Sequence, residues 1–411
     1  MAGACWTTGV LLSAGLAVGA IRPATGQTDA HRDRALRILR TTPLIDGHND
    51  IPDAVRERGG LEAVDLARPQ PRLQTDIARL RSGGVGAQFW AAYVPVSTMD
   101  SGAVPGPAVY ALEQIDFIHR MCRRYGDVFA EARTAADVEG NFKAGKISCL
   151  IGIEGGHAIE NSLGALRAFY ELGVRYMTLT HWRTLDWADA ATDTAKHGGL
   201  TPFGEAVVRE MNRLGMLVDV SHVSDATMLD ALRVTRAPVI YSHSSARAIA
   251  HHVRNVPDSV LRRVAANRGV VMVNFNPPFV SEPRRLHDVR RDSVLSRIRA
   301  AGADSAALAD TLRAWNARAP VVTLSEVADH VDHIRRIAGV DCVGLGSDFD
   351  GISTVPRGLE DVGKFPDLLA ELLRRGWSDQ DIRKLVGLNL LRVLREAERV
   401  SAELGRAAAR D

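Results

Sequence analysis

Eight short apolar runs, each closed by a polar cluster and separated by amphipathic stretches, constrain this chain more than any other feature. They are Pro43–Ile45, Val85–Trp90, Ile147–Ile153, Tyr176–Leu179, Leu217–Val220, Pro238–Tyr241, Val270–Phe275 and Asp341–Leu345. Continuous apolar segments of this length suit strands buried on both faces, as in parallel sheets. Helical patterns lie between them, including Leu163–Leu172, Pro202–Leu214, Asp225–Val234 and Pro257–Ala266. Ser224 before Asp225 is a helix cap, as is Thr201 before a proline at the first helical position. Eight strands alternating with helices predict an α/β fold: one (β/α)8 barrel with insertions over residues 28–411. A doubly wound sheet is the alternative, but no GxGxxG fingerprint follows the first strand.

In such a barrel the side chains just beyond the C-terminal strand ends converge on one mouth, where catalysis occurs. Metal-ligand residue types recur at those positions. The first strand ends in Asp46-Gly47-His48-Asn49-Asp50, the third in Glu154-Gly155-Gly156-His157 and the fourth in Thr180-His181-Trp182. The fifth ends in Ser221-His222, the sixth in Ser242-His243 and the eighth in Gly346-Ser347-Asp348-Phe349-Asp350. Imidazole and carboxylate together suit zinc or another borderline divalent ion. His48 and Asp50, two residues apart in extended chain, aim to one side. With Glu154 as a bridge, and His222 and His243 as a second pair, the set suits two ions ~3.5–4 Å apart sharing an activated water.

Asp348 is the expected proton acceptor for that water and donor to the leaving group. His181, with no partner two residues away, reads as a hydrogen-bond donor to a substrate carbonyl. His157 reads as structural, and His197, His251, His252, His330 and His333 as bland. Asp350, beside Gly351, suits a turn. Arg254 could clamp a terminal carboxylate, although spacing alone favours a surface salt bridge.

Charge and composition narrow the partners. Fifty-one basic against forty-nine acidic side chains leave +2, and aromatic content is 5%. Neither favours nucleic acid. Residues 1–27, with the apolar stretch Val10–Ala20, read as a secretory signal and imply export. The alternative is an ordinary N-terminal extension of a cytoplasmic chain. No run reaches membrane-spanning length. Four cysteines are too few for a disulfide scaffold. Cys149 and Cys342 read as packing thiols, so no structural disulfide is expected. The charged stretch Glu282–Ala319 reads as a helical excursion between the seventh and eighth strands.

The strings LIDGHNDIP, IGIEGGHAI, YMTLTHWRT, WADA, VDVSHVS, YSHSSARAI, RNVPD, VMVNF, GLGSDFDGI and GLEDV closely resemble the membrane (renal-type) dipeptidase family, zinc dipeptidases of the amidohydrolase barrel group. They run in order from about residue 40 to about residue 397. The resemblance implies a binuclear zinc hydrolase of dipeptides. In that pattern His48 and Asp50 bind one Zn2+ and His222 and His243 the other, with Glu154 bridging. His181 polarises the scissile carbonyl, Asp348 moves the proton, and Arg254 grips the C-terminal carboxylate, against its bland reading. The absence of an anchor tail and of an obvious cysteine pair suggests a bacterial-type member, many of which accept a D-residue at the C-terminal position. A homodimer is a further expectation, though no residue pattern here specifies an interface. The segment Asn276-Pro277-Pro278-Phe279 stands where some relatives are expected to have a tyrosine, so preference among dipeptides does not transfer directly. Two readings compete. One is another binuclear amidohydrolase acting on a lactone or amide; a carboxylate clamp has no purpose for a neutral lactone. The other is a catalytically silent barrel, which would lack one of the ligands.

Overall fold

The computed structural model describes residues 29–408, together with Met1 and Gly3. The export-signal segment and Cys5 lie outside the described residues. Nine strands form one parallel sheet: β1 (Leu44–Asn49), β2 (Val85–Tyr93), β3 (Phe129–Glu131), β4 (Ile147–Glu154), β5 (Val174–Thr178), β6 (Leu217–Asp219), β7 (Ile240–Tyr241), β8 (Val270–Val273) and β9 (Val343–Leu345). The order is β2-β1-β9-β8-β7-β6-β5-β4-β3, and a pairing between β2 and β4 closes eight of them into a barrel. The ninth, β3, lies outside the ring. It pairs with Ile147–Cys149 at the start of β4, and β5 takes over that edge from Ile151. Three residues, one of them a glutamate, are too short an apolar run to be legible in sequence.

Alternate strand residues sort into two apolar layers, as the period of two requires. Ile45, Ala87, Phe89, Leu150, Tyr176, Leu217, Ile240, Val270 and Met272 form one cluster, which continues into Leu390, Leu391 and Leu394 of the final helix. Leu44, Val85, Trp90, Ile151, Ile153, Val271 and Val273 join the layer packed under the surrounding helices. Each large side chain so buried contributes roughly 1.5–3 kcal/mol. Gly152 has a specific task here, since a Cβ at that position would collide with the Tyr176 ring.

The caps behave as the sequence indicates. Ser224 accepts from the Thr227 amide, and Thr201 accepts from the Gly204 amide at the start of helix Pro202–Leu214. Glu282–Ala319 forms two helices, Glu282–Ala300 and Ser305–Asn316, between β8 and β9. Among the described residues no helix is long and apolar enough to cross a membrane.

One expectation is corrected. Cys149, on β4, forms a disulfide with Cys122, on helix Pro107–Arg124. The pairing depends on the register of that helix over β4, 27 residues away in the chain, which no local pattern reveals. It also removes the cysteine half of the case for a bacterial-type member. Cys342 is a buried free thiol, as expected.

Candidate metal centre

Glu154, the last residue of β4, is the hub of the barrel mouth. Its Oε1 lies 3.0 Å from His222 Nε2, 3.3 Å from His243 Nε2 and 3.7 Å from His181 Nε2. Its Oε2 lies 3.5 Å from His48 Nε2, which is itself 3.3 Å from Asp50 Oδ2. Donor atoms fall into three overlapping groups, each within 4.8 Å: His48, Asp50 and Glu154; Glu154, His222 and His243; His48, His243 and Asp348. Five strand ends, from β1, β4, β6, β7 and β9, supply these six residues. Local backbone aims them: His222 and Asp348 both have φ of 66°, the left-handed turn that swings a side chain inward. Gly351 keeps its Cβ-free face against Asp50 and Asp348, where any side chain would collide.

Burial sets the protonation states. Burial alone would raise the Glu154 carboxyl, but His48, His181, His222 and His243 around it hold it well below the usual range. Burial keeps His222 and His243 neutral, each well below the ordinary imidazole value. For His48 burial is outweighed by Tyr176, Asp50 and Glu154, and its value rises well above the ordinary one. Burial pushes Asp50 up to about 6 and Asp348 up to about 7, the latter helped by Asp50.

The donor set fits a divalent cation. The Nε2 atoms of His222 and His243 face each other across 2.9 Å. Two neutral imidazoles held that way repel through their lone pairs unless a proton or a cation stands between them. His48 Nε2 is buried with no hydrogen-bond partner among the described residues. Imidazole nitrogens with carboxylate oxygens, buried and convergent, are the ligand chemistry of zinc and its neighbours.

The remaining predicted residues surround the same cavity of about 320 Å³, whose lining includes His181, Arg254, Asp348, Tyr93, Trp182 and Phe279. Burial pushes His181 down to about 4, so its imidazole is neutral. Arg254 is 1% exposed, which overturns the surface-salt-bridge reading that spacing alone favoured. Among the described residues its guanidinium reaches only the Ser244 hydroxyl at 3.4 Å and the His243 carbonyl at 3.3 Å, and it lies over the Phe279 ring. Asp350 occupies a turn with φ of 66°, as expected, and exchanges two 2.7 Å hydrogen bonds with Gln74 that tie this turn to a segment 276 residues away. His157 donates to the Val94 carbonyl, away from the donors.

Sequence reasoning missed the supports. Tyr176, inside an apolar run, meets His48 Nδ1 through its hydroxyl at 2.8 Å. Asn274 donates to Asp348 Oδ2 at 2.9 Å. Asp219, a carboxylate at the end of β6, is fully buried. An acidic residue within an apolar run was itself the available signal for Asp219. Asn274, a polar residue within the run Val270–Phe275, carried the same signal, and Tyr176 carried none.

A family model described as membrane dipeptidase (peptidase family M19) matches residues 32–407. Dipeptidase 3 of Rattus norvegicus is 44% identical over 376 residues, covering 90% of this chain and 68% of that protein. Dipeptidase 3 of Homo sapiens is 41% identical over 388 residues, covering 93% and 70%. Among solved structures, a metallo peptidase from Rhodobacter sphaeroides, liganded with a phosphinate mimic of the dipeptide L-Ala-D-Ala, aligns with a TM-score of 0.69 at 28% identity. That alignment covers 87% of this chain and 99% of the other. A probable dipeptidase from Pseudomonas aeruginosa shares the fold, with a TM-score of 0.77 at 23% identity over 90% and 99% of the two chains. This chain belongs to the membrane dipeptidase family of metallopeptidases.

Proposed function

We propose that this metallo-dipeptidase uses two zinc ions, His48 and Asp50 holding one, His222 and His243 the other, with Glu154 between them, and that its substrates include L-Xaa-D-Xaa dipeptides. One observation carries the reading. Arg254 is a buried guanidinium with no carboxylate in ion-pair range among the described residues, and it lines the cavity that holds the histidine–carboxylate cluster. A buried charge without a counter-ion is costly, and a dipeptide's terminal carboxylate supplies that counter-ion with bidentate geometry. A neutral lactone does not, which disfavours the competing hydrolase reading. The cavity volume suits a ligand of dipeptide size.

Divalent ions bound there would supply Lewis acidity and a water that ionises near neutral pH. The chain's own groups do the rest. Arg254, over Phe279, fixes one end of the substrate, so the scissile bond lies at a set reach from the clamp. His181, held neutral, donates a hydrogen bond to the carbonyl oxygen as negative charge develops on it. Asp348, buried within reach of the same cluster, is placed to accept a proton from the attacking water and return it to the departing amine. Asn274 occupies its Oδ2 and leaves the other oxygen for that transfer. The Rhodobacter relative liganded with an L-Ala-D-Ala mimic supports the stereochemical part of the reading. The Cys122–Cys149 disulfide supports an oxidising, exported location.

The test is a panel of L,L and L,D dipeptides, free and C-terminally amidated, with zinc quantified in the same preparation. We expect hydrolysis of free L-Xaa-D-Xaa dipeptides and two zinc ions per chain. Equal cleavage of amidated dipeptides would overturn the clamp, and full activity in metal-free protein would overturn the centre.

A further inference from the structure

The three histidines that share the Glu154 carboxylate most closely are supported very unequally on their other ring nitrogen. His243 Nδ1 lies 2.8 Å from Ser242 Oγ, which in turn donates to Asp219 Oδ2 at 2.6 Å. Among the described residues His48 Nδ1 has only the Tyr176 hydroxyl, which donates in turn to the Gly47 carbonyl at 3.3 Å. His222 Nδ1 is buried with no partner among the described residues.

Donor and acceptor accounting fixes the first case. An ionised carboxylate only accepts, so the Ser242 hydrogen goes to Asp219. Ser242 Oγ must then accept from His243, which places the ring hydrogen on Nδ1 and the lone pair on Nε2, facing Glu154 and His222. Asp219 does more than this. Its Oδ1 accepts the Ser221 amide at 3.0 Å and the Ser242 amide at 2.9 Å, and its Oδ2 also accepts the Thr178 hydroxyl at 2.6 Å. Ser221 and Ser242 directly precede His222 and His243. One fully buried carboxylate therefore ties β5, β6 and β7 together at the level where both histidines leave their strands.

We propose that Asp219 is a positioning residue for one half of the metal centre: through Ser242 it fixes the tautomer of His243, through the Ser221 amide it fixes the turn carrying His222, and it thereby sets the affinity of the His222–His243 side independently of the His48–Asp50 side. This rests on the two-ion reading above. Outer partners of ligating histidines orient the ring and raise its basicity, and their loss typically costs ~10–100-fold in metal affinity.

The test is zinc titration against a competing chelator on the full chain, with circular dichroism confirming the fold. Ser242→Ala removes only the relay hydroxyl and leaves the amide bonds to Asp219 in place. We expect one of two ions to bind ~10–100-fold more weakly, the other unchanged. Tyr176→Phe should weaken the complementary ion, and the double variant both. Asp219→Asn should reproduce the Ser242→Ala pattern more severely; if it does not fold, Ser242→Ala still decides. Two unchanged ions in Ser242→Ala, or equal weakening of both, would overturn the relay. A wild-type protein that binds no zinc would instead overturn the two-ion reading beneath it.

Discussion

The barrel mouth and the excursion between β8 and β9 are both dense in charge, yet they use it in opposite ways. At the mouth, His48, Asp50, Glu154, His222, His243 and Arg254 are buried, lie at or beyond the ends of four strands, and face one another with few protein partners among the described residues. In the excursion, charges neutralise neighbours on their own helix. Arg285 pairs with Glu282 at 2.5 Å, Arg284 and Arg291 with Asp288 at 3.0 and 3.1 Å, and Arg313 with Asp310. The helix Ser305–Asn316 has no buried residue at all. Arg284 and Asp288 are buried; elsewhere on the excursion, charge satisfied by exposed sequence neighbours three or four residues away is scaffolding that water can replace. Charge gathered from distant strands and left unsatisfied awaits a ligand.

Substitutions at the mouth should therefore be large in function, and the largest is at Asp348. Asp348→Asn keeps the volume and the Asn274 contact but cannot take up a proton. We expect zinc content to stay at the wild-type level while kcat falls ~10²–10⁴-fold, the usual worth of a placed acid–base group. Near-normal turnover would remove Asp348 from the chemistry. Arg254→Ala comes next. A charge-assisted hydrogen bond is worth about 1.5–3 kcal/mol, so KM for free dipeptides should rise roughly 10–150-fold. Weak hydrolysis of an amidated dipeptide should not change. A loss shared equally by both substrates would mean that Arg254 supports the fold and not the carboxylate.

The third effect is smaller and concerns how the mouth is braced. His330 Nδ1 accepts the Ala246 amide at 3.0 Å and its Nε2 donates to the Val280 carbonyl at 2.8 Å, strapping the loop after His243 to the segment holding Phe279. Burial keeps it neutral, with its value pushed down to about 4. Below about 6.5 the unfolded chain takes up a proton here and the folded chain does not, so stability rises with pH across this window and is lost on acidification. By pH 5.5 this group alone should shift the folding equilibrium about tenfold. Urea unfolding from pH 7 to pH 5 should show a shallower pH dependence in His330→Asn, whatever its stability at pH 7. An unchanged slope would place the proton uptake elsewhere.

The contrast also explains what was legible in sequence. The barrel was readable because each strand is a continuous apolar run, and the donor set because each donor directly follows one. What escaped depends on register between distant segments. The Cys122–Cys149 bond needs helix Pro107–Arg124 docked over β4, and β3 needs the free lower edge of β4 beneath β5. Arg254 looked like a surface residue because burial of a guanidinium leaves no local trace; only the family motif pointed inward. The supporting hydroxyls of Tyr176 and Ser242 matter through the ring nitrogen they meet, and that meeting is a property of the closed barrel.

The smallest effect is the sharpest check on the comparison. Arg313 and Asp310 have side chains 71% and 69% exposed and pair within one helix that has no fully buried residue. Their attraction is screened, and holding two long side chains together offsets most of it. Arg313→Ala should leave unfolding free energy within about 0.5 kcal/mol of wild type and leave kcat/KM for dipeptides unchanged. A larger loss of stability, or a drop in turnover, would show that this helix engages something beyond its own hairpin. Its charge would then belong with the mouth, as charge waiting on a distant partner, and the division drawn between the two regions would fail.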